Sequence, residues 1–331
     1  MNINKNIFVI WYKIHIKILL VFEIMETQKR YNEQLIDLME KLSNIMLKQG
    51  EQFRARAYQK AQETIMTVPN NIISTSQLKG LPNIGSTIMD KLNEYVETGT
   101  LRVLEREKTN PINFLAEIYG IGPKKAQELV GSGIKSMDDL KERQNELLND
   151  IQKVGLYYHK QIMQRIPRSE IEEYDELFKS LFSKISNSST DKFEIVGSYR
   201  RGAITSGDID IIITGNNNSV YNNFVDKLIN TGIILKVLSR GSSKTLVIAK
   251  LSGERVARRL DFLYSPLNEF PFAILYFTGS KFFNTVMRQH ALKLGYTFNE
   301  HGIYNLENNK KGKKVEQSFA NENNIFDFLN L

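Results

Sequence analysis

Apolar residues recur at helical spacing through Leu35, Leu38, Leu42 and Ile45 among polar neighbours, and the pattern predicts helices from about Thr27 to Met66 that stop at Val68-Pro69. Ile88, Leu92, Tyr95 and Val96 repeat the period behind the turn Leu81-Pro82-Asn83-Ile84-Gly85-Ser86, with Gly99 as the stop. Ala126, Leu129 and Val130 repeat it behind Tyr119-Gly120-Ile121-Gly122-Pro123, stopped by Gly131 and Gly133, and a charged connector from Arg102 to Asn110 separates the two units. Past Pro167, the spacing of Ser169 and Glu172 predicts a capping box opening a helix with Ile171, Tyr174, Leu177 and Leu181 inward. After a loop over 186–190 the period changes to two. Asp208 to Thr214 predicts a strand, and runs over 233–238, 244–251 and 255–263 predict three more, the last two joined at Ser252-Gly253. From Pro271 to Leu331 the chain reads as a small α+β region with one amphipathic helix from about Ser280 to Leu294, and Lys310-Lys311-Gly312-Lys313-Lys314 reads as a basic loop.

A chain of 331 residues with 41% hydrophobic content can bury sizeable cores in two or so domains. The net charge of +7 favours a polyanionic partner. With no cysteine, disulfides and thiolate metal sites are excluded, and the composition suits a reducing intracellular compartment, nucleus and cytoplasm being indistinguishable. His15, His159, His290 and His301 lack ligand spacing, which argues against zinc. The apolar stretch 7–24 carries Lys13, His15, Lys17 and Glu23. A central lysine costs a membrane span about 2.5–3.5 kcal/mol, so no stable membrane association is expected and residues 1–24 read as a leader or start-site extension.

The densest chemistry lies in Gly197-Ser198-Tyr199-Arg200-Arg201-Gly202, followed by Ser206-Gly207-Asp208-Ile209-Asp210. On a strand, Asp208 and Asp210 project to one side while Ile209 and Ile211 face the other. Paired carboxylates suit magnesium, which takes hard oxygen ligands and completes its shell with substrate phosphates. Gly197 permits close backbone approach, Ser198 adds a hydroxyl, and Arg201 offers a phosphate-matching fork. Asp261, in the strand pattern 255–263, is the best candidate for a third acid of a two-metal site. The Gly-x-Gly-like turns upstream read as helix-hairpin-helix units. A tight turn opening a helix points free N–H groups at a passing phosphate, gripping nucleic acid without reading its sequence. Gly85, Gly120 and Gly122 shape those turns, Lys124 and Lys125 add charge, and Asn83 stands where the first glycine is usual, tolerable because asparagine is enriched at positive φ.

These motifs together resemble the family X DNA polymerases. The resemblance extends through Tyr276-Phe277-Thr278-Gly279-Ser280, Phe283-Asn284, Met287-Arg288, His290-Ala291-Leu292 and Gly295 to Glu300, and covers the chain from about Tyr31. It implies a multi-domain α and α+β fold: an apolar leader 1–24, a helical lyase-like domain 25–105, a DNA-binding helical subdomain 106–166, a nucleotidyltransferase (polymerase beta-like) palm 167–265 with a mixed sheet, and a nascent base-pair subdomain 266–331. It implies that Ser198, Arg201, Ser206 and Gly207 hold the triphosphate, and that Asp208, Asp210 and Asp261 bind two Mg2+ ions, Asp261 accepting the primer hydroxyl proton. Arg259 would be an electrostatic neighbour of the acids and part of the DNA-binding surface. Tyr276, Phe277 and Gly279 would form a turn crowding the sugar 2′ position, Asn284 would touch the incoming base, and Arg288 the template.

The same resemblance assigns 5′-deoxyribose-phosphate lyase chemistry to Lys91, whose unprotonated amine would attack an abasic-site aldehyde, with Arg54 and Tyr58 holding the 5′ phosphate and sugar. A monovalent cation at the hairpin turns is a further implication. Thr87 and Val103 stand where related enzymes have lysines, Lys281 where they have an acid, and Leu263 where they have an arginine. The expected activity is short-gap filling on gapped or nicked DNA from dNTPs, by a monomer. Two alternatives stay open: template-independent terminal nucleotide transfer, which the short link from Arg240 to Lys244 opposes, and a non-catalytic DNA-end-binding scaffold, which the intact acids oppose.

Overall fold

The computed structural model describes residues 30–331, apart from residues 254 and 309, so the segment 1–24 lies outside the described residues. Among the described residues no helix is long and apolar enough to cross a membrane. The chain divides into two compact units, one ending at Thr109 and the other running Asn110–Leu331.

In the first unit, α1 (Asn32–Lys48) buries Leu35, Leu38, Met39, Leu42 and Met46. These residues meet Ala55, Tyr58, Ala61 and Ile65 of α2 (Gln52–Met66) in one core that also takes Ile88 and Leu92 of α3 (Ser86–Thr98). Asn83 adopts φ 62, the left-handed conformation the turn requires. Its amide donates to Thr64 Oγ1 at 3.3 Å, and that hydroxyl donates to the Pro82 carbonyl at 2.9 Å. The segment read as a charged connector instead contains α4 (Arg102–Glu107). Buried Leu101 pulls it onto the core, and the nearly buried Glu107 is held by Gln49 at 2.6 Å and Arg106 at 2.9 Å.

The second unit opens with α5 (Pro111–Leu115), α6 (Pro123–Gly131), α7 (Met137–Glu142), α8 (Gln144–Leu147) and α9 (Asp150–Ile162). Here Gly120 (φ 84) shapes the second hairpin turn, and Gln152 on α9 donates to its carbonyl at 3.0 Å. A Cβ on Gly155 would overlap the Tyr119 carbonyl oxygen. Gly155→Ala should therefore cost about 3 kcal/mol, read as a lower midpoint in urea, because backbone and not a yielding side chain occupies the space.

Next come β1 (Ile166–Pro167), α10 (Arg168–Phe182), β2 (Lys192–Ile195), α11 (Gly197–Arg200), β3 (Thr205–Ser206), β4 (Ile209–Thr214), α12 (Ser219–Asn230), β5 (Ile234–Arg240), β6 (Lys244–Ala249) and β7 (Arg258–Tyr264). The five-stranded sheet has the order β2-β4-β7-β6-β5, and only β4 and β7 are parallel. On one face Ile209, Ile211, Ile213, Leu260 and Phe262 pack with Tyr174, Phe178, Phe224 and Leu228 of α10 and α12. The capping box expected from Ser169 and Glu172 does not form. Pairing of β1 with β3 and donation from the Arg168 N–H to the Ile204 carbonyl (3.0 Å) start the helix earlier, at Arg168 behind Pro167, so Glu172 accepts from Arg168 instead.

The C-terminal region comprises α13 (Phe270–Thr278), α14 (Lys281–Lys293), β8 (Tyr296–Asn299), β9 (Gly302–Glu307), β10 (Lys310–Lys314) and α15 (Glu322–Phe328). The lysine run read as a loop is the edge strand β10, antiparallel to β9. Lys311 lies over the Tyr304 ring at 3.5 Å and Lys314 reaches Glu269 at 3.3 Å.

Candidate active site

The parallel pairing of β4 with β7 sets Asp210 directly abreast of Asp261. Both acids leave the sheet on the face opposite the isoleucine core. That face is walled by Ala273 and Ile274 of α13 packed on Ile212, and by Tyr119, Val154 and Tyr158 packed near Ile248 and Ala257. Desolvation, and then the neighbouring Asp261 charge, push the Asp210 carboxyl up to about 6, with Lys244 opposing. Burial likewise raises Asp261, against Arg259 and Lys244. Lys244 Nζ stands 3.8 Å from Asp261 Oδ2.

Asp208, just ahead of β4, is ion-paired with Arg259, whose Nε also lies 3.5 Å from Asp261 Oδ1. Arg259 thus shares the strand face of Asp261, as expected, and bridges the acids. Two of the three carboxylates are assembled, while the third is held by a guanidinium. Accordingly, no group of three or more His, Asp or Glu side chains is disposed to hold a metal ion among the described residues. The donor chemistry nonetheless fits magnesium. The oxygens are hard, and the buried Asp261 Oδ1 has no hydrogen-bond partner. Arg259 contacts Asp208 through Oδ2, so a metal would either take the other oxygen or compete with the guanidinium for this one.

Gly197 stands against these acids with φ 66, and a Cβ there would lie 2.9 Å from Asp210 Oδ2. Gly197→Ala combines a left-handed alanine, costing about 1–2 kcal/mol, with displacement of Asp210. A shift on the order of 1 Å costs roughly a hundredfold in rate, so single-turnover extension by this variant should fall by about that factor. Ser198 donates to Ser206 Oγ at 2.8 Å, and Ser206 is buried beside Gly207. Arg165 escaped the sequence reading. Its guanidinium donates to the Thr205 carbonyl at 2.5 Å and to Thr205 Oγ1 at 3.1 Å, and Nη1 lies 3.4 Å from where a Gly207 Cβ would sit. A lone arginine before Ile166-Pro167 carries no spacing signal that could have found it.

Tyr276 and Phe277 form the last turn of α13 and not a free turn, because Gly279 (φ 65) ends the helix only after Thr278. Arg201 donates to the Thr278 carbonyl at 2.5 Å, and its Nη1 lies 3.5 Å from a Gly279 Cβ position. Asn284 donates to the Tyr276 carbonyl at 2.8 Å and leaves its buried Oδ1 unpartnered, while Arg288 donates to the Asn284 carbonyl at 3.2 Å. The corner between α13 and α14 therefore gathers Arg201, Tyr276, Gly279, Asn284 and Arg288. Arg200 is bound to Glu322 at 2.9 and 2.6 Å and to Thr278 Oγ1 at 2.9 Å.

In the first unit Arg54, Tyr58, Gly85, Thr87 and Lys91 line one hollow of about 350 Å³. Burial raises the Tyr58 hydroxyl above its usual value, with Arg54 opposing. In the second hairpin unit Gly122 precedes α6, Lys124 is exposed, and Lys125 pairs with Glu128 at 2.7 Å.

A mixed sheet with abreast carboxylates beside a glycine-serine turn, preceded by hairpin units, has the build of a nucleotidyltransferase palm. Comparison with family models matches residues 165–267 to the DNA polymerase beta palm, 273–331 to the DNA polymerase beta thumb, 113–163 to the fingers domain of DNA polymerase lambda and 30–101 to a helix-hairpin-helix domain. DNA polymerase lambda of Arabidopsis thaliana is 30% identical over 323 residues, covering 90% of this chain and 60% of that protein. DNA polymerase lambda of Rattus norvegicus is 28% identical, covering 86% of this chain and 51% of that protein. DNA-directed DNA/RNA polymerase mu of Homo sapiens is 25% identical, covering 91% of this chain and 67% of that protein. The chain thus spans about half to two thirds of the length of these relatives. It belongs to the family X DNA polymerases.

Proposed function

We propose that this chain is a template-directed DNA polymerase of the repair type, filling short gaps by nucleotidyl transfer from a dNTP to a primer 3′-hydroxyl. The observation that carries this reading is the abreast pair Asp210 and Asp261 beside the Ser198–Ser206 turn. Asp208, Asp210 and Asp261 would hold Mg2+, which when bound stabilises charge on the attacking and departing oxygens. Asp261 would take the primer hydroxyl proton, directly or through water. Ser198, Ser206, the Gly207 backbone, Arg201 and Arg165 orient the triphosphate, and Gly279 and Asn284 seat the sugar and base. Gly120 and Gly122 open a turn suited to a DNA phosphate.

Only Gly241, Ser242 and Ser243 link β5 to β6, which favours template-directed synthesis over terminal transfer. Primer extension with Mg2+ on gapped, recessed and single-stranded DNA tests this. Extension confined to templated substrates supports it, whereas equal extension of single strands would move the assignment to terminal transferase.

The hollow around Lys91 supports a second, independent activity. Arg54 and Tyr58 meet Lys91 there, giving a basic and hydroxyl-bearing wall for a 5′-deoxyribose-phosphate group. Borohydride should trap a covalent adduct with an incised abasic substrate, and Lys91→Ala should lose at least nine tenths of it; undiminished trapping would assign the amine elsewhere.

A further inference from the structure

Strand β7 is two-sided. It presents Asp261 to the open face, while Arg258 goes the other way and is 5% exposed. There Arg258 makes a bidentate pair with the buried Glu170 at 2.8 and 2.6 Å. Its Nη1 also donates to the Gln164 carbonyl at 3.2 Å, and the Ala257 N–H donates to Gln161 Oε1 at 3.0 Å. All these partners lie in one stretch, from the end of α9 to the first turn of α10.

The same stretch grips the glycine-serine turn. Ile166 and Pro167 pair with Ser206 and Thr205, and the Arg168 N–H donates to the Ile204 carbonyl at 3.0 Å. The Arg168 guanidinium donates to the Tyr199 carbonyl at 2.8 Å and lies 4.3 Å from the centre of the Tyr199 ring. One short segment therefore holds, with separate side chains, the strand bearing Asp261 and the turn bearing Ser198 and Ser206.

We propose that residues 161–170 are a positioning element that sets the separation between the phosphate-binding turn and the third acid, with Arg258 and Glu170 as positioning residues for Asp261 and Arg168 as the positioning residue for the turn. The inference rests on the polymerase reading above. A buried ion pair is weak evidence for stability, since apolar replacements of similar volume are often neutral or better, whereas removing one partner strands a buried charge. Here the pair has a second task, because its guanidinium also anchors two carbonyl-bearing residues of the junction. Apolar side chains can fill the same volume but cannot make those bonds. Rate depends steeply on geometry at the reacting atoms, so loss of placement should appear in kinetics even where stability survives.

The two arms predict different kinetic signatures in full-length protein extending one-nucleotide-gapped DNA. The double variant Arg258→Met/Glu170→Leu should melt close to wild type, need at least fivefold more Mg2+ for half-maximal rate and show about a tenfold lower kcat, with KM for dNTP within twofold. Arg168→Ala should raise KM for dNTP at least fivefold and leave the Mg2+ requirement within twofold. Arg258→Lys, which keeps the pair but not the fork, should fall between the double variant and wild type, and it carries the test of this arm should the double variant fail to fold. Wild-type values of kcat, KM and Mg2+ requirement in these variants would overturn the inference. So would losses that merely track the folded fraction. Absence of extension by the wild-type protein itself would sink the polymerase reading instead.

Discussion

Asp261→Ala should reduce Mg2+-dependent primer extension on the order of a thousandfold or more, equivalent to about 4 kcal/mol of transition-state stabilisation. The substitution removes an acid that pairs in register with Asp210 and carries a buried oxygen without a hydrogen bond. Its effect should fall on kcat and not on DNA binding, because the hairpin turns lie elsewhere in the chain. A gel-shift assay on gapped DNA run beside the extension assay separates the two. Asp261→Ala protein that still extends at a tenth of the wild-type rate would show that this carboxylate is not at the reacting centre.

Asp210→Asn should do the reverse to stability. Burial and Asp261 push the Asp210 carboxyl up to about 6 from an ordinary value of 3.8. A carboxyl raised on folding holds its proton more tightly in the native state, so its ionisation opposes folding. That cost is complete above pH 6 and disappears as the pH falls through 6 toward 3.8. Metal-free Asp210→Asn protein should accordingly be about 3 kcal/mol more stable than wild type at pH 7.5. The gap should close toward pH 4. Urea unfolding of both proteins across that range checks it, with contributions from other groups cancelling in the difference. Added Mg2+ should stabilise wild type and leave the variant little changed. A variant less stable than wild type at pH 7.5 without metal would contradict the strained carboxylate pair.

Much of this site was legible from short-range pattern. Alternation over Asp208, Ile209, Asp210 and Ile211 announced which side chains would be buried and which would face the acids' side, and the structure keeps that division. Asn83 fits its turn because its side chain tolerates positive φ. What spacing could not show was set by partners distant in sequence. Arg200 meets Glu322 across 122 positions, and Arg258 meets Glu170 across 88. Spacing near Asp208 did not place Arg259, 51 positions away, beside it; only the family resemblance made that arginine a neighbour of the acids. The β10 lysines were read as a loop because an edge strand with polar faces has no hydrophobic alternation, and charged residues there guard against further pairing. The helix over Arg102–Glu107 was hidden because it is short and its two core-packed residues, Val103 and Leu104 behind Leu101, sit within a charged run.

The same contacts describe what has to change for catalysis. Arg259 holds Asp208 through one oxygen while Asp210 and Asp261 stand together, so a metal entering the site competes with Arg259 for Asp208. The most direct test is anomalous scattering from a crystal of the protein with gapped DNA, a non-hydrolysable dNTP and Mn2+. Manganese peaks should appear coordinated by Asp210 and Asp261, with Asp208 turned from Arg259 to join them beside the Ser198–Ser206 turn. A fully occupied nucleotide with Asp208 still on Arg259, and no manganese at Asp210 and Asp261, would contradict this arrangement.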